Sequence, residues 1–464
     1  MAPSPSTRRN RRLEAVIAEL GWTQDQLAVR IRRVAAEGGS DDLLRVSRSH
    51  VAQWLRGVQP RGRASQALCE ALTRGLGRVV TPAELGLEAA VGLGVRPSDG
   101  DTLNALADLG GIDLDITRRH ILVDGAYSVA GLAVPSGSWW QEQRERARAR
   151  SSGRLLSVTP ADVSAVREMT GFFSRRDQQR GGRSGRTALV AYLRYEVMGY
   201  LRGTYPSDAL RAQMTSVVGE LTYLAGWTAF DAGEHPLAQR YFSHALDLAA
   251  EADDAPLAGH IMRAMAHQAL DLGHRAQALA LATASVEGSR YTQAAAREKS
   301  LLGVVHARTL AAAGRRREAA AALIRAEDDL RAIDAGRPEP DRVFFFSRAS
   351  LAHETARTLS DLGDLEGAEG EFHRSVRTRP AQSFARTHAV TLGYLGTVQI
   401  ARGHLDTALA TWNGALDAMG GVQSGRTREA VVRMRRTLSP FRARGGAAAA
   451  RLDDRARAML GHVG

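Results

Sequence analysis

Few side chains in this 464-residue sequence could support chemistry, and they are scattered. The single cysteine, Cys69, excludes a disulfide framework, a cysteine-based zinc site and an iron–sulfur cluster. It lies in an apolar helical pattern with no cation nearby to stabilise a thiolate, so packing is its expected role. His260, His267 and His274 fall seven residues apart, but Gly273 puts His274 on a turn, so the three imidazoles do not converge on a metal. The stretch GGRSGRT at 181–187 has the glycines of a phosphate loop. It lacks the required first glycine, carries Arg186 in place of lysine and follows no strand. No paired carboxylates and no nucleophile–base arrangement stand out. The expectation is a protein that is not an enzyme and holds no metal or cofactor.

What remains is positive charge. Lys+Arg number 62 against 50 Asp+Glu, and Lys299 is the only lysine, a pattern that GC-rich coding explains without selection for guanidinium forks. The charge is uneven. Residues 1–90 hold 14 Arg and 9 acids, 141–186 hold 11 and 5, and 425–464 hold 10 and 3, while 91–140 and 187–424 are each slightly acidic. A basic segment beside a near-neutral scaffold is the profile of a nucleic-acid reader joined to a sensor or interaction domain. Basic stretches that only maintain solubility would give the same profile. Hydrophobic residues at 44% are enough for real cores, and no run of about 18 apolar residues suggests a membrane span. Glu14 and Glu19 interrupt the N-terminal apolar residues, so no secretory signal is expected. Arg118-Arg119 with the apolar run after it resembles a twin-arginine export core, but it lies behind a folded segment and is broken by Asp124. A cytoplasmic location is expected.

The elements that would carry the N-terminal charge are short helices. Leu13, Val16, Ile17 and Leu20 make one apolar face of a helix from about Arg8 to Leu20. Thr23 and Gln26 form a capping box for a second, lined by Leu27, Ala28, Ile31, Val34 and Ala35. After a polar connection from Ala36 to Arg45, Ser47 caps a third helix with Val51, Trp54 and Leu55 inward. Gly57 and Pro60 end it. A fourth spans about Arg63–Leu76, and Thr81-Pro82 starts a last turn through Leu85. The segments TQDQLA at 23–28 and VSRSHVAQWLRGVQPR at 46–61 resemble the repressor-like (XRE/Cro-type) helix-turn-helix family, with a longer second connection than usual. That resemblance implies DNA binding. Ser47 would cap the recognition helix; Arg48, Ser49 and Gln53 would face base edges, where Arg forks onto guanine and Gln onto adenine. Gln24, Arg56, Arg61 and Arg63 would contact phosphates. Arg8, Arg9, Arg11 and Arg12 would form a basic arm.

Beyond this head, residues 96–115 show no firm period, 116–140 suggest a short helix docking on the following domain, and QEQRERARAR at 141–150 reads as an exposed helix. The rest repeats. Gly233, Gly273, Gly314, Gly363 and Gly403, spaced 40, 41, 49 and 40, are each followed five residues later by alanine (238, 278, 319, 368, 408). Phe242, Ala282, Leu323, Phe372 and Trp412 come next, then a small residue at 245, 285, 326, 375 and 415. This resembles the tetratricopeptide repeat, in which a turn glycine joins two antiparallel helices and stacked pairs share one core. Helices at 160–174 and 187–203 would cap its front, and a basic stretch at 426–444 its back, before a flexible Gly445–Ala450 tract. The resemblance implies a groove lined by each pair's first helix, with Tyr223, Trp227, His260, Met265, His267, Arg308, Arg357 and Tyr394 as candidates to touch a peptide, small-molecule or protein effector.

The expected fold is all-α: a helix-turn-helix domain at 1–90, linker and docking helices at 91–158, a TPR-like α-solenoid at 159–425, and a basic helix and tail at 426–464. The pairing of these domains resembles that of regulators of development and secondary metabolism in GC-rich filamentous bacteria, and that of peptide-pheromone receptors. It implies a homodimeric transcriptional regulator on double-stranded DNA. The alternative is a TPR interaction scaffold whose head no longer reads bases.

Overall fold

The computed structural model describes residues 9–38, 41–60, 62–87, 101–115, 126–149, 156–334, 336–443 and 446–462. The chain is all-helical; among the described residues the only β pairing is an isolated bridge between Ser157 and Thr204. It divides into two compact units, one holding the residues up to Ala133 with Glu234–Ser243, the other Val134–Gly233 with His244–Gly464.

The first unit begins at α1 (Arg11–Glu19), capped by Asn10, whose Oδ1 accepts from Leu13 N–H at 3.0 Å. In α2 (Gln24–Glu37) the expected box is present: Gln26 N–H donates to Thr23 Oγ1 at 3.2 Å, and Thr23 N–H to Gln26 Oε1 at 2.9 Å. A 3₁₀ turn at Asp41–Arg45 leads to α3 (Arg48–Leu55), and α4 (Arg63–Leu76) follows. Leu13, Ile17, Leu27, Ile31, Val51, Leu68 and Leu72 meet in one core that Val80 and Leu85 close from below. The 96–115 stretch contains a helix, α5 (Thr102–Leu114), that its sequence conceals. Leu103, Leu106 and Leu109 are buried, but Gly110-Gly111 and the sparse polar face blur the period.

In the second unit, α6 (Gly137–Ala149), α7 (Pro160–Arg180), α8 (Arg186–Tyr192), a π-turn at Leu193–Val197 and α9 (Met198–Leu201) precede α10 (Asp208–Asp231). Helix α11 (His235–Glu251) starts in the first unit and ends in the second. Hairpins then follow: α12 (Ala255–Asp271) with α13 (Arg275–Ser285), then the single turn α14 (Ser289–Thr292), then α15 (Ala296–Ala312) with α16 (Arg316–Arg331). After these come α17 (Arg348–Asp361) with α18 (Leu365–Thr378), and α19 (Ala385–Ala401) with α20 (Leu405–Ala418). Each pair packs internally and against the next, a solenoid-like arrangement.

The repeat positions behave alike. Gly233, Gly273, Gly314, Gly363 and Gly403 all hold φ between 77° and 87°, the left-handed conformation that closes a helix end and that residues with a Cβ resist. The alanines five residues on are completely buried, as are Phe242, Phe372 and Trp412. Helix approach is close where the sequence is small: a Cβ on Gly396 would lie 2.4 Å from Trp412 Nε1, which instead donates to Gly393 O at 3.1 Å.

Two features depart from expectation. Gly445 lies outside the described residues, but the rest of the Gly445–Ala450 tract is not a loose tail. Ala447 opens α22 (Ala447–His462), which packs on α20 and on α21 (Gly425–Ala443) through Ala449, Leu452 and Ala456. Alanine's helix propensity, with an apolar face, outweighs the glycines before it. The segment after 125 meets the preceding helices as well as α11, where Ser128 N–H donates to Gln239 Oε1 at 2.9 Å and Gln239 Nε2 donates to Ser128 O at 2.6 Å. Tyr127 is fully buried, its carbonyl accepts from Arg74 Nη2 at 2.8 Å, and Val129 N–H donates to Glu70 Oε1 at 2.8 Å. The twin-arginine-like residues 118–119 lie outside the described residues.

Candidate functional site

The solvent edge of α3 is set by what its other edge buries. Val51 is 0% and Trp54 6% exposed, so the 3.6-residue period turns Arg48, Ser49, Gln53 and Arg56 outward, and all four are exposed. Ser47 stands at the N-cap with extended backbone, φ −129° and ψ 173°. Its capping partner is His50, which sequence reasoning passed over because a Gln or Glu is the usual third residue. Ser47 N–H donates to His50 Nδ1 at 3.3 Å, and Ser47 Oγ lies 2.9 Å from the same nitrogen and 2.7 Å from Ser49 Oγ. The leading turn of α3 is thereby tied into one local network, which restrains Ser49 and leaves Arg48 and Gln53 to solvent.

The flanking cations are placed less freely than expected. Arg56 folds back so that Nε donates to Ala52 O at 3.2 Å. Arg63 lies 3.6 Å from Asp42, and Arg61 is outside the described residues. Gln24 is the first residue of α2, half-buried, beside that helix's free N–H groups. The basic arm is corrected. Arg8 lies outside the described residues, Arg11 and Arg12 are the first turn of α1, Arg9 pairs with Glu14, and Arg12 Nη1 donates to Ala83 O at 3.1 Å. Asn10 holds this start down by donating from N–H to Leu55 O and from Nδ2 to Leu85 O.

The residues expected to line a groove in the second unit are mostly interior. Tyr223, Trp227, His260, Met265, His267 and Arg308 are less than a tenth exposed, and Arg357 and Tyr394 are half-buried. The 49-residue spacing between Gly314 and Gly363 explains part of this. Its extra residues form a 3₁₀ turn, Asp341–Val343, that reaches across the first helices. There Arg342 clamps Glu298 through Nε at 2.7 Å and Nη2 at 2.9 Å, and donates to Glu220 Oε1 at 2.7 Å. Burial favours the neutral Glu298 carboxyl, but Arg342 and His260 outweigh it and hold it down to about 2. Burial also pushes His260 and His267 down to about 4, aided by Arg263 beside the first.

At the other closure, Asp231 accepts from Arg386 Nη1, Ser424 Oγ and Gly182 N–H, each at 2.9 Å. Arg386 also lies 3.1 Å from Asp177, and Gln423 N–H donates to Arg180 O at 2.7 Å. The glycines of GGRSGRT therefore join the start of this unit to its end, and Arg186 is buried in packing. Among the described residues no group of three or more His, Cys, Asp or Glu could hold a metal ion, and no helix is long and apolar enough to cross a membrane. Cys69 is buried and burial pushes its thiol up to about 12, which keeps it protonated.

An open cavity of this unit, about 330 Å³, brings together Arg357 of α17, Tyr394 of α19 and Arg426 and Arg433 of α21. Arg357 stacks on Tyr394 with Cζ 3.8 Å from the ring centre, and Arg433 at 4.8 Å. No curated protein matches the chain. Residues 13–88 of the chain, which span the head from α1 past α4, match the family described as the SP15 N-terminal domain.

Proposed function

We propose that this chain is a sequence-specific DNA-binding transcriptional regulator. Its head is a repressor-like helix-turn-helix, and its body is a tetratricopeptide-type solenoid that dimerises and binds an effector. The observation that carries the reading is α3: a helix fixed on the core by Val51 and Trp54 that presents Arg48, Ser49 and Gln53 together to solvent. Among the described residues Arg48 pairs with no carboxylate, so its fork is available for a base edge. Two such heads in a cytoplasmic homodimer would read two half-sites, and an effector that prefers one state of the body would shift operator occupancy. A 100-fold shift requires a preference of about 2.7 kcal/mol. Nothing in this reading requires catalysis.

The test is a salt titration of the purified protein on duplexes selected from genomic fragments and on random duplex. A base-reading head keeps the selected site near about 150 mM salt, after random DNA is lost. Equal loss on both would leave an interaction scaffold with a basic head.

A further inference from the structure

The open cavity beside Arg357 carries a surplus of cations. Arg275, Arg308, Arg357, Arg426 and Arg433 line it against Asp271, Asp361 and Glu429. Arg308 is already committed, lying 3.2 Å from Glu354 and 3.5 Å from Asp271. Among the described residues Arg357, Arg426 and Arg433 pair with no carboxylate. Arg357 Nη1 is buried without a hydrogen-bond partner, a costly arrangement for a cation unless something else supplies the acceptor. Burial also lowers the Arg357 pKa, with Tyr394 opposing, as expected of a guanidinium short of counter-charge. The Tyr394 ring is already covered by two guanidiniums, so it holds cations in place and offers no free face for a flat ligand.

We propose that this cavity binds a small phosphate monoester, with Arg357, Arg426 and Arg433 around its phosphoryl group. Three facts select that class. Apart from Arg308, held by Glu354 and Asp271, four arginines face Asp361 and Glu429, and that surplus of two positive charges matches a group that carries about −1.5 to −2 at pH 7. Three arginines from two helices suit three terminal oxygens, whereas a planar carboxylate takes one or two forks. A volume of about 330 Å³ fits a small metabolite and not an extended peptide. The bound anion would join α17 to α21, which makes it a candidate for the effector of the proposed regulator, and to that extent the inference rests on that reading.

Calorimetric titration of the full-length protein with ribose 5-phosphate, ribose and succinate tests it. Ribose 5-phosphate should bind saturably, ribose should not, and succinate should bind at least about tenfold more weakly. Arg433→Gln, exposed at the rim and thus safe for folding, should weaken ribose 5-phosphate about tenfold, the loss of one charge-assisted pair. No saturable binding of ribose 5-phosphate, tighter binding of succinate, or unchanged affinity in Arg433→Gln would overturn the proposal. DNA selection measured on the same preparation separates the two ideas: selection without phosphate binding removes this inference alone, and phosphate binding without selection removes the gene-control reading alone.

Discussion

Asp231→Ala tests whether the repeat unit is closed by its buried charges. The side chain is completely inaccessible and accepts three hydrogen bonds at 2.9 Å, from a backbone amide, a hydroxyl and a guanidinium. Truncation strands Gly182 N–H and Ser424 Oγ, each worth about 1–3 kcal/mol when left unpaired. It also removes one of the two carboxylates at Arg386, and breaking a buried ion pair costs about 3–5 kcal/mol. Part is recovered. Asp231 is one of the charges that raise the Asp177 pKa, so its removal lets Asp177 ionise more readily and serve Arg386 alone. The expected loss is therefore about 3 kcal/mol, near the lower end. Asp231→Asn, which keeps an acceptor, should cost less. Urea unfolding followed by far-ultraviolet circular dichroism gives the size, and hydrogen exchange gives the place, with protection lost in the peptides around 180–186 and 423–428. A loss under about 1 kcal/mol, or exchange unchanged there, would refute the closure argument.

The glycines of the hairpins should split by sign. Gly396→Ala drives a Cβ into Trp412 and should cost about 1–3 kcal/mol, whereas Gly370→Ala, inside α18 with no atom within 4 Å, should stabilise by about 0.5–1 kcal/mol; thermal unfolding of both reads the contrast. Burial, opposed by Arg386, pushes Asp177 up to about 7 from 3.8, so its protonation favours the folded state, fully below about pH 4 and no longer above pH 7. Asp177→Asn should therefore gain stability relative to the parent as pH rises from 5 to 8 in urea midpoints. Glu298 and Glu354, both held down to about 2 against their burial by arginine and histidine neighbours, contribute above about pH 4.5 and lose that contribution as pH falls toward 2. On DNA, Arg48→Ala should relax one operator position by about 1–3 kcal/mol, and Gln24→Ala should weaken all sites alike, as read by binding to a single-substitution operator series.

The repeats were legible because their signal is local. A glycine and an alanine five residues later are dictated by one turn and one close helix crossing, and the five turns share both; a bulky residue four beyond recurs in all but the second, where Ala282 stands. The solvent edge of α3 was legible for the same reason, since Val51 and Trp54 settle which way Arg48 and Gln53 face. The interior charges were not. Arg386 and Asp231 are 155 residues apart and Arg342 and Glu220 are 122 apart, so no window of sequence contains both partners. The docking of residues 126–129 on Arg74 and Glu70 escaped for that reason too. The burial of most of the expected groove residues escaped as well: the extra residues before Gly363 carry Arg342, which clamps Glu298 and Glu220 across the first helices.

The polar residues of the first helices form a ladder, and this changes what their mutation would report. Arg263 donates to Tyr223 at 2.7 Å, His260 lies 3.2 Å from Glu298, Arg308 pairs with Glu354, and His353 lies 2.9 Å from Thr391. Each contact crosses from one hairpin to the next, from α10 through α12, α15 and α17 to α19. Alanine-rich helix faces alone would pack nearly as well if one hairpin slid along its neighbour by a turn, because small residues recur on them. A directional hydrogen bond at each step penalises that slip, since the displaced partner would be buried unpaired. The sequence-predicted effector residues Tyr223, His260, His267 and Arg308 are rungs of this ladder, so their substitution should lower stability before it touches any ligand. Arg308 also lines the open cavity but is held by Glu354 and Asp271, whereas Arg357, beside Tyr394, keeps a buried nitrogen without an acceptor. A substitution that weakens phosphate binding while leaving the urea midpoint unchanged should therefore come from the cavity rim, at Arg433, and not from the rungs.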